Sequence, residues 1–189
     1  MIQKVIHKMK YPALTFFLSL LILFYFFHTV LLSPNEFLFT SSGDGIMNYY
    51  SYLFQAKHGA SSFWEFQGMN YPYYEHVIYT GTQPVLSWLV TQLGLVDYGI
   101  GILNILMLIS YPICSVFIFL ILRHYKVEIV WSIVAALAIT YLAPQLGRLT
   151  GHFALSYVSA IPGMWWLLIK CKSGDARIWA SLSFLYVFA

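Results

Sequence analysis

The chain has 189 residues, 60% of them hydrophobic and 9% charged, with a formal net charge of +3. A soluble domain carries roughly 25% charged residues, and no soluble fold of this size hides so much apolar surface, so lipid must be part of the solvent. No basic stripe is available to neutralise phosphates, which argues against a nucleic-acid partner.

Pro12 to Leu32 is the first expected span, an uncharged run preceded by Lys4, Lys8 and Lys10. At 1.5 Å per residue it covers roughly 31 Å, enough for a hydrocarbon core. It exceeds a signal-peptide core and no small-residue cleavage site follows, so it reads as an uncleaved anchor.

Residues 33 to 97 form a loop too long for a simple connection. Ser41-Ser42-Gly43-Asp44-Gly45 is a turn signal, and the aromatic-rich run from Asp44 to His58, ended by Gly59, predicts a helix. Asp44 at its start is a cap, a functional acid or both, since a helix N-terminus stabilises an ionised carboxylate. From Phe63 to Pro84 the chain reads as irregular, with turns at Asn70, Pro72, Gly81 and Pro84. Glu75 and His76 lie there between aromatics, either lining a polar pocket or simply solvated. Pro84 to Leu95 predicts a second short helix. Both helices suit the membrane interface.

Tyr98 to Leu122 and Val127 to Leu146 are the second and third expected spans, paired as a tight hairpin. The following connection holds Arg148 and His152. Arg148 is an interfacial anchor or an anion site, since a guanidinium fork matches phosphate oxygens. Phe153 to Ile169 is the expected fourth span, containing Pro162. Ile178 to Ala189 opens a fifth whose 12 residues give roughly 18 Å of helix. That is too short to cross, so the chain reads as a fragment. Pro112, Pro144 and Pro162 are read as ordinary bundle kinks. Cys114 and Cys171 fall at different depths, so no disulfide is expected between them.

The charges orient these spans. With the N-terminus inside, Lys4, Lys8, Lys10, Arg123, Lys126, Lys170, Lys172 and Arg177 are cytoplasmic, and only Lys57 and Arg148 lie outside. That is a strong positive-inside bias. The expected fold class is therefore all-α: one polytopic integral membrane helix bundle over residues 1–189, with a long extracytoplasmic first loop carrying interfacial helices.

Gly43-Asp44-Gly45 followed by Asn48-Tyr49-Tyr50, soon after the first span, resembles the first outer loop of GT-C type membrane glycosyltransferases. Gly68-Met69-Asn70-Tyr71-Pro72 through Glu75-His76 resembles segments of bacterial membrane proteins of the same general type. The resemblance covers roughly residues 10 to 155. It implies transfer of a sugar from a polyprenyl-phosphate donor, a lipid-linked partner, to an acceptor on the extracytoplasmic side, at a bacterial inner membrane. It implies Asp44 as catalytic base, with Asn48, Glu75, His76, Arg148 and His152 as substrate-binding residues. The second acid that this family often keeps near the first is absent here, which leaves a divalent metal open with no ligand set assigned.

Two other readings stand beside it. A transporter or flippase would place ionisable groups inside the spans, where this sequence has almost none. A non-catalytic binding or assembly subunit would use the aromatic loop to hold a partner.

Overall fold

The computed structural model describes residues 2–59, 64–77 and 80–170. The described chain is helical except for one two-residue strand pair, and it divides into two compact units.

The first unit comprises Met1–His28, Leu108–Leu146 and Tyr157–Ala189. It holds most of α1 (Ile2–Leu32), the second part of α4 (Gly99–His124), α5 (Ile129–Tyr141) and α6 (Ala160–Lys170). Among the described residues, three stretches are long and apolar enough to cross a membrane: Lys10–Leu32, Val96–His124 and Ile129–Thr150. The chain is an integral membrane protein. Apolar packing gives spanning helices no advantage over lipid tails, so hydroxyls and small residues specify their contacts. Ser115 Oγ donates to Ser19 Oγ at 2.9 Å and lies 3.1 Å from Thr140 Oγ1. The Tyr141 hydroxyl donates to the Ser19 carbonyl at 2.6 Å. One serine on α1 is thus tied to both α4 and α5. Cys114 is buried and free; Cys171 lies outside the described residues.

The α4–α5 connection is the tight hairpin expected. Lys126 takes a left-handed φ of 64°, Arg123 donates to the Val127 carbonyl, and Glu128 caps α5 by accepting from the amides of Val130 and Trp131. The third stretch, Ile129–Thr150, overlaps the expected 127–146 but is not α-helical throughout. Its α-helix ends at Tyr141, before a 3-10 segment at Pro144–Thr150. Pro144 supplies the reason, because the residue before a proline avoids the α region.

The fourth span is corrected. Residues 153–159 are not α-helical, and α6 begins at Ala160. Phe153–Leu155 is instead a 3-10 turn, closed by Ser156 Oγ donating to the Phe153 carbonyl at 2.7 Å. Pro162 therefore falls in the first turn of α6, where its missing N–H costs nothing, rather than kinking a span. The expected fifth span, 178–189, lies outside the described residues.

The second unit comprises Thr29–Met107 and Gly147–Ser156. Its core is α2 (Gly43–His58) against α3 (Pro84–Gln92), close to the two helices the sequence predicts. Thr91 Oγ1 donates to the Ala56 carbonyl at 2.7 Å, while Tyr52 and Val90 are buried. The segment between them is not wholly irregular. β1 (Glu65–Phe66) and β2 (Glu75–His76) pair antiparallel, Glu65 opposite His76 and Phe66 opposite Glu75. Burial of Phe66 and Val77 beneath the pair explains why it forms.

A buried amide organises this unit. Asn104 on α4 is fully buried. Its Nδ2 donates to the carbonyls of Pro34 and Phe37 at 2.8 and 2.7 Å, and its Oδ1 accepts from the Tyr49 hydroxyl at 2.5 Å. The same hydroxyl accepts from the Phe39 amide at 3.3 Å. Burial pushes the Tyr49 hydroxyl up to about 12, against a lowering pull from the Phe39 amide, so it stays a donor at ordinary pH. Asn35 adds a second clasp, donating to the Asp97 carbonyl at 2.9 Å and accepting from the Gly101 amide at 3.0 Å. Asn104→Leu keeps the bulk but strands two carbonyls and a hydroxyl. Each orphaned buried group costs about 1–3 kcal/mol, so a thermal melt of the purified variant should show a loss of about 3 kcal/mol or more. A melt unchanged from wild type would remove Asn104 from this role.

Candidate functional site

The first turn of α2 meets the Gly147–Ser156 connection. Two contacts set this approach. Asn48 Nδ2 donates to the Gly151 carbonyl. Gly45 is buried so closely that a Cβ there would run into Thr40 Cγ2 and the Thr150 carbonyl. Gly81 packs on the same helix from the other connection, and a Cβ there would strike the Asn48 side chain. Glycine at 45 is thus required by close backbone approach, while Gly81 leaves room for the Asn48 side chain.

This packing brings His152 to Asp44. His152 Nε2 lies 3.9 Å from Asp44 Oδ2, with the two side chains 53% and 76% exposed. The gap is too long for a direct hydrogen bond but suits a bridging water or a shared ligand. Asp44 is not the cap. Ser42 holds that position, and no side chain caps the helix. Asp44 sits inside the first turn of α2, beside the helix's free N-terminal amides. Arg148 is exposed in the 3-10 segment that ends at Thr150, two residues before the contact with Gly45.

Of the residues expected to form one site, the structure joins Asp44, Asn48 and His152, with Arg148 on the adjoining segment. Asn48 spends its amide on Gly151, so it holds the connection in place. Glu75 and His76 make other contacts. Asn70 Nδ2 donates to Glu75 Oε1 at 2.6 Å, and His76 stacks on Trp64 with ring centroids 5.8 Å apart. Their hairpin packs through Phe66 on Phe54, 5.4 Å between centroids. Phe54 is ten residues along α2 from Asp44, roughly 15 Å of helix. Among the described residues, no cluster of three or more His, Cys, Asp or Glu side chains could hold a metal ion.

Sequence reasoning named Gly45, Gly81 and Tyr49 only as turn or motif residues and missed Asn104. A glycine within the first turn of a predicted helix was the available signal for Gly45, since it weakens a helix unless packing requires it.

The fold and these contacts define an essentially all-helical integral membrane protein with a compact polar loop unit. Residues 16–189 match the model of a domain of unknown function, DUF6311, and the chain belongs to that family. No curated protein and no solved structure matches the chain.

Gly45→Ala tests the close approach. Helix propensity alone would stabilise the variant by about 0.8–1 kcal/mol, whereas overpacking costs about 1–3 kcal/mol. A net loss of stability on thermal melting is expected. A net gain would mean that the connection carrying His152 does not press on α2.

Proposed function

We propose that this protein is a membrane glycosyltransferase that moves a sugar from a polyprenyl-phosphate donor to an acceptor at the extracytoplasmic face of a bacterial inner membrane. The carrying observation is the pairing of Asp44 with His152, 108 residues apart in sequence and 3.9 Å apart in space, both open to solvent. In the reaction, an acceptor hydroxyl attacks the anomeric carbon and loses its proton to the Asp44 carboxylate. The bond between that carbon and the phosphate oxygen breaks. The departing lipid phosphate is met by the Arg148 guanidinium, and by His152 when protonated. Asn48 acts through position, by holding the connection on which His152 stands. The uncapped N-terminus of α2 adds a favourable field for the phosphate.

The resemblance of Gly43-Asp44-Gly45 to the first outer loop of GT-C enzymes supports this assignment, as does the placement of α2 and α3 between the first two spans. In this reading both helices lie along the outer interface, and the N-terminus is cytoplasmic. The topology has its own test. In a background of Cys114→Ser and Cys171→Ser, Ser41→Cys should react with an impermeant thiol reagent in intact cells. Lys126→Cys should react only after permeabilisation. The opposite pattern would invert the topology and remove the donor from the Asp44 side.

The catalytic test uses Asp44→Asn in the full-length protein. Its charge is lost and its shape kept. Loss of a general base costs about 100- to 10,000-fold in rate, while an exposed first-turn charge contributes only about 0.3–1 kcal/mol to the helix. Sugar transfer from a polyprenyl-phosphate donor should therefore collapse while the melting temperature barely moves. Near-normal transfer would refute Asp44 as the base.

A further inference from the structure

The helical unit carries a charge pattern that the Asp44 site does not use. Lys10 opens the first crossing stretch, Arg123 and Lys126 stand at the α4–α5 turn, and Lys170 ends α6. All four residues are exposed.

Contacts between the helices put these residues at one depth. Among the described residues, none between Leu32 and Val96 belongs to a stretch that could cross, so α1 and α4 run through the membrane in opposite directions. Ser115 on α4 meets Ser19 on α1. Lys10 lies nine residues before Ser19 and Arg123 eight residues after Ser115, roughly 14 and 12 Å of helix toward the same end. The α4–α5 hairpin reverses the chain, and α6 starts back from the far end of that stretch, so it runs with α4. A Cβ on Gly163 would lie 3.1 Å from Phe117 Cε2. Lys170 follows Gly163 by seven residues and Arg123 follows Phe117 by six, again nearly equal lengths of helix.

The charges at this end are open to a partner. Among the described residues, none of the four cations forms an ion pair. The neighbouring Glu128 spends its carboxylate on the amides of Val130 and Trp131. Arg123 gives an N–H to the Val127 carbonyl, one of the five that a guanidinium carries. Lys170 Nζ lies 4.4 Å over the Trp166 ring, and Lys10 Nζ lies 6.0 Å over Tyr11. Tyrosine and tryptophan near the ends of spanning helices sit at headgroup level, where a lysine keeps its ammonium in the polar layer.

We infer that this end of the helical unit is a docking surface for anionic phospholipid, with Lys10, Arg123, Lys126 and Lys170 taking the headgroup phosphates. Charge selects the occupant. A zwitterionic headgroup brings its own cation, which four like charges repel, whereas phosphatidylglycerol brings only the anion. Depth selects a lipid over free phosphate, because the cations stand where lipid phosphates are most concentrated. The loop on the other side has the opposite balance. Residues 33–97 hold Glu36, Asp44, Glu65, Glu75 and Asp97 against Lys57 alone among Lys and Arg.

This surface does not rest on the sugar-transfer reading. The experiment reconstitutes the full chain in phosphatidylcholine vesicles containing a trace of spin-labelled phosphatidylglycerol or spin-labelled phosphatidylcholine. Electron spin resonance measures how much of each the protein immobilises. Wild type should favour phosphatidylglycerol about fivefold, the gain expected from one basic residue at an anionic headgroup. The triple variant Lys10→Gln, Lys126→Asn, Lys170→Gln should bring the ratio close to one. Arg123 is kept because it holds the turn, and asparagine tolerates the left-handed φ at 126. The exposure of the three lysines predicts an unaltered melt. Salt at about 1 M should abolish the wild-type preference without any substitution, and Lys57→Gln should keep it. Equal immobilisation of both lipids by wild type would overturn the inference, as would a preference that the triple variant or high salt leaves intact, or that Lys57→Gln removes. Loss of the preference on adding millimolar inorganic phosphate at constant ionic strength would assign the cations to free phosphate and also overturn it.

Discussion

The loop unit depends on one buried amide. A segment of chain between two apolar helices carries backbone carbonyls that burial would leave without water, at a cost of about 1–3 kcal/mol each. Asn104 meets two of them and uses its remaining acceptor on Tyr49. Its donors and acceptor are thus all engaged, which is the condition under which a buried polar network stabilises rather than destabilises. The consequence reaches the site. Tyr49 is packed edge-on against Phe153, 4.7 Å between ring centroids, and Phe153 is the residue after His152. Tyr49 also lies on the helix whose first turn carries Asp44. Fixing one tyrosine therefore fixes both halves of the Asp44–His152 pair.

The helical unit meets the same constraint differently. Lipid offers no reward for packing apolar side chains together, so specificity falls to hydroxyls that bond across helices. Ser19, Ser115, Thr140 and Tyr141 do this within a seam of small residues. Among the described residues, no Asp, Glu, Lys or Arg side chain is buried there.

The exposed site and the exposed hairpin also divide the polar chemistry of the loop. Asp44 and His152 are held by close backbone approach at Gly45, a contact that tolerates no Cβ. Glu75 and His76 are held by a strand ladder resting on Phe66 and Phe54. The two groups are placed by different packing.

The sequence by itself determined the membrane class, the first two spans and the tight α4–α5 hairpin, because apolar run length and turn chemistry are local properties. It also determined α2 and α3 to within a few residues, through Gly59 and Pro84 as stop and start signals. Asp44 and His152 were legible only as separate polar residues in two connections. That they meet, and that Glu75 and His76 make contacts of their own, was decided by the tertiary structure. The reason is that Gly45, Gly81, Asn48 and Asn104 act on segments distant in the chain, and no periodicity within one segment records which distant carbonyl its side chains will find. The later start of the fourth expected span has the same origin. Residues 153–159 are apolar enough to be read as membrane helix, but burial of Phe153 against Tyr49 holds Phe153–Leu155 in a short 3-10 turn, and α6 begins only at Ala160.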